Sequence, residues 1–575
     1  MIGAMGKKEE LSGLFERLAD VLEFKGENPF KSIAYRKAAR TLLDLDEEIE
    51  TIVAEGRLRS IPGIGEGIAK KILEYLETGQ VKHYEEARAG IPDSVLEIMN
   101  IPGMGPKTTA LVYKELGIKS VDELEAAASA GKLRELPGMG AKKEENILRG
   151  IRLVRDGSKR ILLGVALPIV EAIIAELSTV TGVEMILPAG SLRRMKETVG
   201  DIDILAASED GRRIVEAFTS LGCVREVLAA GDTKGSIITQ DGLQVDLRVV
   251  KAESFGAALQ YFTGSKDHNV ALRRLAQARG LKINEYGVFR GEERIAGTTE
   301  EEVYRALDLP LIPPELREDR GEIEAAQKGE LPRLVEFADV KGDFHVHTTA
   351  SDGHNTIEEM VEAAVRRGYK YIAICDHSKS TTVANGLDET RLLAQVAEIR
   401  KLQSRYKGIR ILAGSEVDIR NDGTLDFPDE VLGQLDIVIA AVHSALKRPR
   451  DEMTRRILKA MDNPHVRLIA HPTGRLLGKR EPSELDMEAV LKRAAETGVG
   501  LEINAQPDRL DLDDRDCRRA QELGVKVAIG TDAHDADSLW YMRLGVGVAR
   551  RGWVGKDSLL NTFTASRLEK VLRRS

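Results

Sequence analysis

The chain has 575 residues, of which 42% are hydrophobic and 31% charged, and its formal net charge is −9. That length is too great for one hydrophobic core, so we expect a soluble globular protein of several domains. The sequence has no apolar run of membrane-spanning length, no signal peptide at its start and only three singly placed cysteines. These features exclude a membrane protein and a disulfide scaffold, and they predict a cytoplasmic protein.

The first third of the chain is predicted to be helical. Residues 7–56 carry apolar residues at helical spacing. An apolar-Pro-Gly-apolar-Gly pattern before a lysine-bearing helix then begins at Ile61, Ile101 and Leu136. Its glycines permit a tight turn, and free N–H groups at a helix start attract phosphate. One copy could be a plain helix connector, whereas three copies favour phosphate binding. The copies resemble helix-hairpin-helix motifs, and that resemblance implies that they bind the DNA backbone without reading its sequence. The glycines expected at the DNA are Gly63, Gly65, Gly103, Gly105, Gly138 and Gly140.

A second pattern lies in residues 187–205. Gly190-Ser191 is followed, ten residues after the serine, by Asp201 and Asp203 in an apolar segment. In a strand both carboxylates share one face, where they repel each other unless a cation such as Mg²⁺ lies between them and a phosphate. Asp-x-Asp alone would favour a solvated strand end, but its combination with Gly-Ser and with Arg193 and Arg194 favours a phosphate-binding metal site.

These segments resemble the family X DNA polymerases of the DNA polymerase beta superfamily. The resemblance implies helix-hairpin-helix domains, an α+β nucleotidyltransferase palm and a thumb. It also implies a third carboxylate, which Asp246 offers in a strand of the same alternation. Asp201, Asp203 and Asp246 would then be catalytic and bind Mg²⁺ in a two-metal addition of dNTPs to a primer. The matching nucleotide-binding positions are Ser191, Arg194, Gly200, Tyr261, Phe262, Gly264, Asn269 and Arg273.

The first helices also resemble the amino-terminal domain of polymerase beta, which in some members removes a 5′-deoxyribose phosphate. Lys71 matches the catalytic Schiff-base lysine, and Lys31 and Tyr35 match flanking positions. Gly67 replaces another lysine of that site, so the resemblance leaves lyase activity open. It further implies a monovalent cation at the hairpin carbonyls of Ile61, Ile64, Ile101 and Met104.

The C-terminal part of the chain has a different pattern. From Asp343 onward, short β-rich runs end in a residue of metal-ligand type and alternate with helical segments, and eight of the ten histidines lie at or beyond His345. Alternation of this kind predicts a parallel barrel whose strand ends meet at one mouth. A lone histidine is more often structural, but this repeated placement of His and carboxylate favours a multinuclear site for Zn²⁺, Mn²⁺ or Fe.

This second pattern is similar to the PHP (polymerase and histidinol phosphatase) family. The resemblance implies a distorted (β/α)₇ barrel and a phosphoesterase site for up to three Mn²⁺ or Zn²⁺ ions. We expect a 3′–5′ exonuclease, with cleavage of abasic sites as an open addition. Two alternatives also stay open: a small-molecule phosphatase and a non-catalytic, metal-bound support. The nine matching ligand positions are His345, His347, Asp352, His377, Glu416, His443, His471, Asp532 and His534.

The predicted organisation is a gap-repair enzyme that acts as a monomer on gapped or primer-template DNA with dNTPs, away from membranes. Residues 316–340 are predicted to be a solvated linker, because Pro313-Pro314 precede a charged segment with interrupted apolar spacing. The predicted domains are a lyase-like helical domain (1–85), a fingers-like helical domain (86–157), the palm (158–255), the thumb (256–315), that linker (316–340) and the PHP domain (341–575).

Overall fold

The computed structural model describes residues 7–43, 49–61, 63–101, 103–158 and 160–572. The chain divides into two compact units, of which the first ends at Ser158. Among the described residues, every helix is too short or too polar to cross a membrane.

The first unit is helical. In α1, Leu11, Phe15, Leu18 and Leu22 recur at helical spacing and are buried in one cluster with residues of α2 such as Leu42, as the apolar pattern predicts. The helices are α1 (Lys7–Phe24), α2 (Pro29–Leu43), α3 (Ile49–Ala54), α4 (Glu66–Thr78), α5 (Lys82–Arg88), α6 (Asp93–Ile98), α7 (Pro106–Leu116), α8 (Val121–Ser129) and α9 (Ala141–Ser158).

The second unit begins with the sheet that carries the predicted aspartates. Its first elements are β1 (Ile161–Leu162), α10 (Leu163–Leu177), β2 (Met185–Pro188), α11 (Gly190–Arg193), β3 (Thr198–Val199), β4 (Ile202–Ala207), α12 (Gly211–Thr219), β5 (Val224–Ala230), β6 (Lys234–Thr239) and β7 (Gln244–Val250). The sheet order is β2-β4-β7-β6-β5, and β4 and β7 run parallel. Ile202 and Ile204 are buried while Asp203 between them is only half-buried, so the alternation predicted for this strand is present.

The next elements pack against this sheet. They are α13 (Phe255–Thr263), α14 (Lys266–Ala278), β8 (Lys282–Asn284), β9 (Gly287–Arg290), β10 (Glu293–Ala296), α15 (Glu300–Arg305) and α16 (Glu322–Lys328). The structure contradicts the predicted solvated linker over residues 316–340. Arg317 and Glu322 are fully buried, because Arg317 pairs with Glu300 at 2.6 Å and Glu322 with His268 at 2.6 Å. Apolar residues on both sides of them in the chain belong to one buried cluster, namely Leu316, Ile323, Ala326 and Leu334.

The rest of the unit is the predicted barrel. Its elements are β11 (Gly342–Val346), α17 (Ile357–Arg366), β12 (Tyr371–Ile374), α18 (Glu389–Gln403), β13 (Arg410–Asp418), α19 (Asp429–Leu432), β14 (Ile437–Ala441), α20 (Arg450–Met461), β15 (Val466–Ile469), α21 (Met487–Thr497), β16 (Gly500–Asn504), α22 (Asp514–Glu522), β17 (Val527–Gly530), α23 (Met542–Arg551) and α24 (Ala565–Leu572). The strands β11 to β17 are parallel and adjacent in chain order. Beyond β17, the Asp532 N–H donates to the His345 carbonyl at 2.8 Å, which joins the last strand end to the first.

Candidate functional site

The three hairpins of the first unit share one backbone design. The first glycine of each motif has a left-handed backbone, with φ of 97° at Gly63, 92° at Gly103 and 74° at Gly138. The second glycine immediately precedes a helix, and at Gly65 and Gly105 no side chain caps the helix start. The uncapped N–H groups of these helix starts are suited to bind a phosphate oxygen.

The carbonyls predicted to hold a monovalent cation lie in these tight turns. The Ile61 carbonyl accepts the Ile64 N–H at 3.1 Å, and the Ile101 carbonyl accepts the Met104 N–H at 2.8 Å. The Thr109 hydroxyl donates to the Met104 carbonyl at 3.0 Å. Each turn therefore brings its two predicted carbonyl residues together.

The predicted lyase residues are partly brought together. The ammonium of Lys71 lies 5.7 Å from the centre of the Tyr35 ring and donates to the Gly67 carbonyl at 3.3 Å. Lys31 instead pairs with Glu27 at 2.9 Å. His83, which the sequence patterns did not single out, lies with its ring 6.3 Å from that of Tyr35, and burial together with Lys71 lowers its pKa.

The palm aspartates occupy adjacent strands. Asp203 on β4 is directly opposite Asp246 on β7, and Asp201 precedes β4 by one residue. Burial, Asp201 and Asp246 raise the pKa of Asp203 to about 6. A Cβ at Gly190 would lie 2.4 Å from an oxygen of Asp203, so only glycine permits the phosphate-binding turn to approach this carboxylate. The repulsion felt by Asp203 is the condition that a divalent cation relieves.

Replacing Asp203 with asparagine should stabilise the metal-free palm at neutral pH. The folded-state pKa of about 6 exceeds the ordinary value of 3.8, so this carboxyl costs the wild type stability as the pH rises through that interval. The variant lacks that cost, and its advantage should reach on the order of 1–3 kcal/mol above about pH 6 and vanish near pH 4. Thermal unfolding in EDTA measures the difference. If the variant were less stable than wild type at neutral pH, the raised pKa of Asp203 would be contradicted.

The two arginines of the Gly-Ser turn have different partners. Arg193 is bound by Glu300 at 2.6 Å and by the Thr263 hydroxyl at 2.7 Å, so its charge is directed to the thumb. Arg194 donates to Glu318 at 3.0 Å. The sequence patterns treated both as anion-binding, but the pairing of Arg193 with Glu300 could not be inferred from residues more than a hundred positions apart.

The predicted nucleotide-binding segment of the thumb lies at the junction of α13 and α14. The rings of Tyr261 and Phe262 meet edge to face at 5.1 Å, and Gly264, with φ of 71°, is joined to Ser265 by a cis peptide bond. The amide of Asn269 donates to the Tyr261 carbonyl at 2.7 Å. This bond ties the two helices together beside the half-buried aromatic pair. Of the other predicted nucleotide-binding positions, Ser191 and Gly200 in the palm are half-buried, and Arg273 on α14 is exposed.

The nine predicted ligands of the barrel converge at one mouth. Among the described residues, three groups have ligand atoms that all lie within 4.8 Å of one another: His347, Asp352, His377 and His534; His345, His347 and Asp532; and His377, Glu416 and His443. The ninth ligand, His471, places its Nε2 atom 2.7 Å from a Glu416 oxygen. The Nε2 atoms of His345 and His347 are 3.1 Å apart, an approach that a shared cation would explain.

Glu416 lies between two sets of histidines. Its Oε1 atom is 2.7 Å from His471 and 3.1 Å from His443, whereas its Oε2 atom is 2.8 Å from His377 and 3.6 Å from His345. Each oxygen therefore faces a different part of the cluster. This is the arrangement expected of a carboxylate that bridges two ions.

The electrostatics of the barrel mouth favour charged groups despite burial. Burial opposes a charge on His345, but Glu502, Glu416 and Asp532 outweigh it and raise the pKa of this imidazole well above its ordinary value. Burial would raise the pKa of Glu416, yet the surrounding histidines hold it well below its usual range. His347 is an exception, because burial, His534 and His377 lower its pKa to about 4 and favour the neutral imidazole. So much negative charge at a buried site is suited to divalent cations.

Two further features of the ligands fit a metal centre. Among the described residues, the buried Nδ1 atoms of His347 and His471 have no hydrogen-bond partner. His471 and Asp532 also have positive φ angles of 26° and 52°, which side-chain-bearing residues rarely adopt. Strained backbone of this kind is concentrated at functional sites.

A second layer of polar residues orients the ligands, and the sequence patterns missed it. Glu502 on β16 accepts from His345 Nδ1 at 2.7 Å and from the His471 N–H at 2.7 Å. Asn504 donates to Asp532 at 3.0 Å, and Asp418 lies 3.2 Å from His443 Nδ1. Partners of this type fix the orientation of metal-binding imidazoles. Position was a signal for Asn504, which ends the remaining barrel strand, whereas Glu502 lies within that strand.

Comparison with known proteins matches four family models along the chain. A helix-hairpin-helix domain matches residues 6–81, a SAM-like helix-hairpin-helix tandem residues 95–153, the DNA polymerase beta thumb residues 258–318 and the PHP domain residues 343–506. Their order describes a family X polymerase to which a PHP barrel is joined.

Individual relatives extend this finding to the whole chain. DNA polymerase/3′-5′ exonuclease PolX of Bacillus subtilis (strain 168) is 40% identical over 572 residues, which are 99% of this chain and 100% of the relative. DNA polymerase lambda of Rattus norvegicus is 26% identical over 53% of this chain and 55% of its own length. A probable phosphatase of Thermoanaerobacter sp. (strain X514) is 32% identical over 38% of this chain and 89% of its own. The chain therefore belongs to the PolX family.

Proposed function

We infer that this chain is a DNA-directed DNA polymerase with a 3′–5′ exonuclease and that it serves in DNA repair. The observation that carries this conclusion is the presence of two separate candidate metal centres in one PolX-family chain: Asp203 opposite Asp246 in the palm, and the nine converging ligand residues of the barrel. Helix-hairpin-helix and thumb domains supply the binding of DNA and dNTPs. Filling of short gaps, a monomeric state and a cytoplasmic location are parts of this proposal.

In the palm, Asp201, Asp203 and Asp246 would hold two Mg²⁺ ions. Such ions neutralise the transferred phosphate and orient the attacking and leaving oxygens. The Ser191 hydroxyl and the Arg194 guanidinium, which follow the Gly190 turn, would bind the triphosphate, and Gly200 would lie beside it. Tyr261, Phe262, Gly264 and Asn269 would contact the sugar and base, and the exposed Arg273 would contact the template strand. The tethering of Asn269 to the Tyr261 carbonyl supports a fixed shape for this surface.

In the barrel, the nine ligands would hold up to three Mn²⁺ or Zn²⁺ ions. Such ions activate water and neutralise a phosphodiester. Glu502 and Asp418 orient His345 and His443, so the imidazoles are positioned before an ion binds. Each Glu416 oxygen faces a different histidine set, which supports its role as the bridging ligand.

A small-molecule phosphatase is the second candidate for the barrel, because relatives named as probable phosphatases match this part of the chain. Rates of hydrolysis of a phosphate monoester and of a 3′ single strand, measured with Mn²⁺, distinguish the two. We expect degradation of the strand to dominate. Activity on the monoester alone would favour the phosphatase. If folded variants of the barrel's ligand residues kept both activities, the barrel would be a structural support.

Lys71 is proposed as the lyase residue, supported by its position over the Tyr35 ring beside His83. Reduction with borohydride on a 5′-deoxyribose phosphate should trap a covalent adduct that Lys71→Ala lacks. An adduct of equal yield in that variant would show that another lysine forms the covalent bond. Cleavage of abasic sites by the barrel is tested separately with Lys71→Ala and Mn²⁺.

Replacing Gly65 with valine should weaken binding of gapped DNA while the hairpin stays folded. A Cβ at Gly65 would meet no described atom within 4 Å, so the new side chain fills the space through which a phosphate approaches α4. Gly63 is unsuitable for this test, because its φ of 97° makes the turn itself depend on glycine. Affinity should fall equally for unrelated DNA sequences and depend less steeply on salt, as measured by fluorescence anisotropy. A loss confined to one sequence would contradict backbone recognition.

A further inference from the structure

A helix of the barrel, α23, packs on residues 190–197 of the palm, which we call the phosphate-binding loop. A Cβ at Gly547 on α23 would lie 2.6 Å from Met195 Cε and 3.1 Å from Met195 Cβ. Met195 itself has a left-handed backbone, with φ of 54°. It directly follows Arg194 in the loop that also carries Ser191. The backbone of α23 therefore lies against the palm segment to which we assign the triphosphate.

Arg551, the last residue of α23, binds both the main chain and the ionic partner of Arg194. Its Nη1 group donates to the Arg194 carbonyl at 2.9 Å and to Glu318 Oε1 at 2.9 Å. The same Glu318 oxygen accepts from Arg194 Nε at 3.0 Å. The other Arg551 nitrogen pairs with Asp514 of the barrel. The side chain of Arg551 is only 4% exposed, so these bonds are made away from solvent.

This arrangement has an electrostatic consequence for Arg194. Glu318 is shared by two guanidinium groups, and Arg551 balances part of its charge. Without Arg551, Glu318 would hold Arg194 more tightly and leave less of its charge for an incoming anion. The loop would also lose the donor that fixes the Arg194 carbonyl. Both effects act on the binding of a triphosphate and neither touches the metal ligands of the barrel.

We propose that Arg551, a residue of the nuclease barrel, is a positioning residue of the polymerase and holds the palm loop in the shape that binds the dNTP triphosphate. This inference rests on the proposed role of Ser191 and Arg194 as triphosphate contacts. It gives the barrel a second role, in nucleotide binding, which is independent of strand degradation.

A second tie supports this role. Arg475 of the barrel pairs with Glu197 at 2.7 Å, so the barrel holds the loop at Glu197 as well as at Arg194. Arg475 lies four residues after the ligand His471, and its replacement would disturb the nuclease as well. Arg551 is therefore the better residue to replace, because its substitution should affect nucleotide binding and leave the nuclease intact.

The chain offers a matched control on the same helix. Arg543 of α23 pairs with Glu171 of α10, so it also joins the barrel to the palm, but both side chains are about half exposed and α10 lies outside the phosphate-binding loop. Arg543→Met therefore loosens the same interface without touching Arg194 or Glu318. A change in the dNTP KM that is seen in Arg551→Met and absent in Arg543→Met is therefore caused by the altered phosphate-binding loop.

The test measures dNTP KM and kcat on a one-nucleotide gap with Mg²⁺, together with degradation of a 3′ single strand with Mn²⁺. We expect Arg551→Met to raise the dNTP KM about tenfold or more with a smaller change in kcat, while strand degradation stays within about twofold of wild type. Arg551→Lys keeps one charged donor and should recover part of the loss. Arg543→Met should match wild type in both assays.

Two further variants keep the outcome decisive. If Arg551→Met does not fold, Gly547→Ala carries the test, because its added methyl pushes on Met195 and leaves every charge in place; it too should raise the dNTP KM. Arg194→Gln tests the underlying assignment. An unchanged KM in Arg194→Gln would overturn the triphosphate site and this inference with it. A raised KM in Arg194→Gln beside an unchanged KM in folded Arg551→Met or Gly547→Ala would overturn this inference alone.

Discussion

Asp203→Ala should abolish nucleotide addition and leave the exonuclease intact. Asp203 is the central carboxylate of the palm, since Asp246 lies opposite it on β7 and Asp201 lies two positions earlier in the chain. Burial, together with Asp201 and Asp246, raises the pKa of this carboxyl. Removal takes away a ligand for both expected ions together with the group that aligns the primer and the triphosphate. Extension of a gapped primer should fall by at least about a thousandfold, because charge stabilisation and positioning are lost together.

The control for this experiment is another aspartate of the same sheet. Asp241 lies in the exposed turn between β6 and β7, so Asp241→Ala should extend the primer at the wild-type rate. The exonuclease of Asp203→Ala, assayed on a 3′ single strand with Mn²⁺, reports that the variant is folded. Extension within tenfold of wild type by the folded Asp203→Ala protein would show that the palm assignment is wrong.

His345→Ala should abolish the exonuclease and leave primer extension intact. His345 is fully buried at the end of β11, bound by Glu502 through Nδ1 at 2.7 Å and facing His347 through Nε2 at 3.1 Å. Its loss opens one ligand group and leaves the Glu502 charge without its imidazole partner. Degradation of a labelled 3′ single strand with Mn²⁺ should fall by at least about a hundredfold.

Asp532→Asn separates charge from shape at the same group. An amide has almost the same size as the carboxylate but neither balances a cation nor binds it as strongly, so this variant should fail like His345→Ala. His465→Ala is the matched control, because His465 immediately precedes β15 and therefore lies at the opposite end of the barrel strands. Circular dichroism verifies folding. A folded, metal-depleted His345→Ala protein that still degrades DNA would leave the barrel as a structural support.

The sequence predicts those parts of the fold and sites that depend on local spacing. His345 and His347 alternate on one strand, and Asp201 and Asp203 do the same, so the shared face follows from strand geometry. The hairpins repeat a short glycine pattern, and the structure shows the left-handed glycine that each copy requires at Gly63, Gly103 and Gly138.

The features that sequence patterns missed depend on distant partners. The charges around Arg317 indicated a solvated linker. Arg317 and Glu322 are nevertheless buried, because Arg317 pairs with Glu300 and Glu322 with His268, which lie 17 and 54 positions earlier in the chain. Glu502 is a single acid in an apolar strand, and no spacing distinguishes it until β16 lies beside β17 and near β11. The contact of Arg551 with the Arg194 carbonyl spans 357 positions and follows only from the packing of the barrel on the palm.

The central claim is that one chain carries two independent metal-dependent sites, and a primer with a labelled, mispaired 3′ nucleotide tests it most directly. Release of the label reports the barrel, and extension with dNTPs reports the palm. Asp203→Ala should release the label without extending the primer. His345→Ala should keep the label in place yet extend a matched primer. A mixture of the two single-variant proteins should both release the label and extend the primer. The protein that carries both substitutions should do neither. Loss of both activities in either folded single variant, or release of the label by the double variant, would contradict the claim.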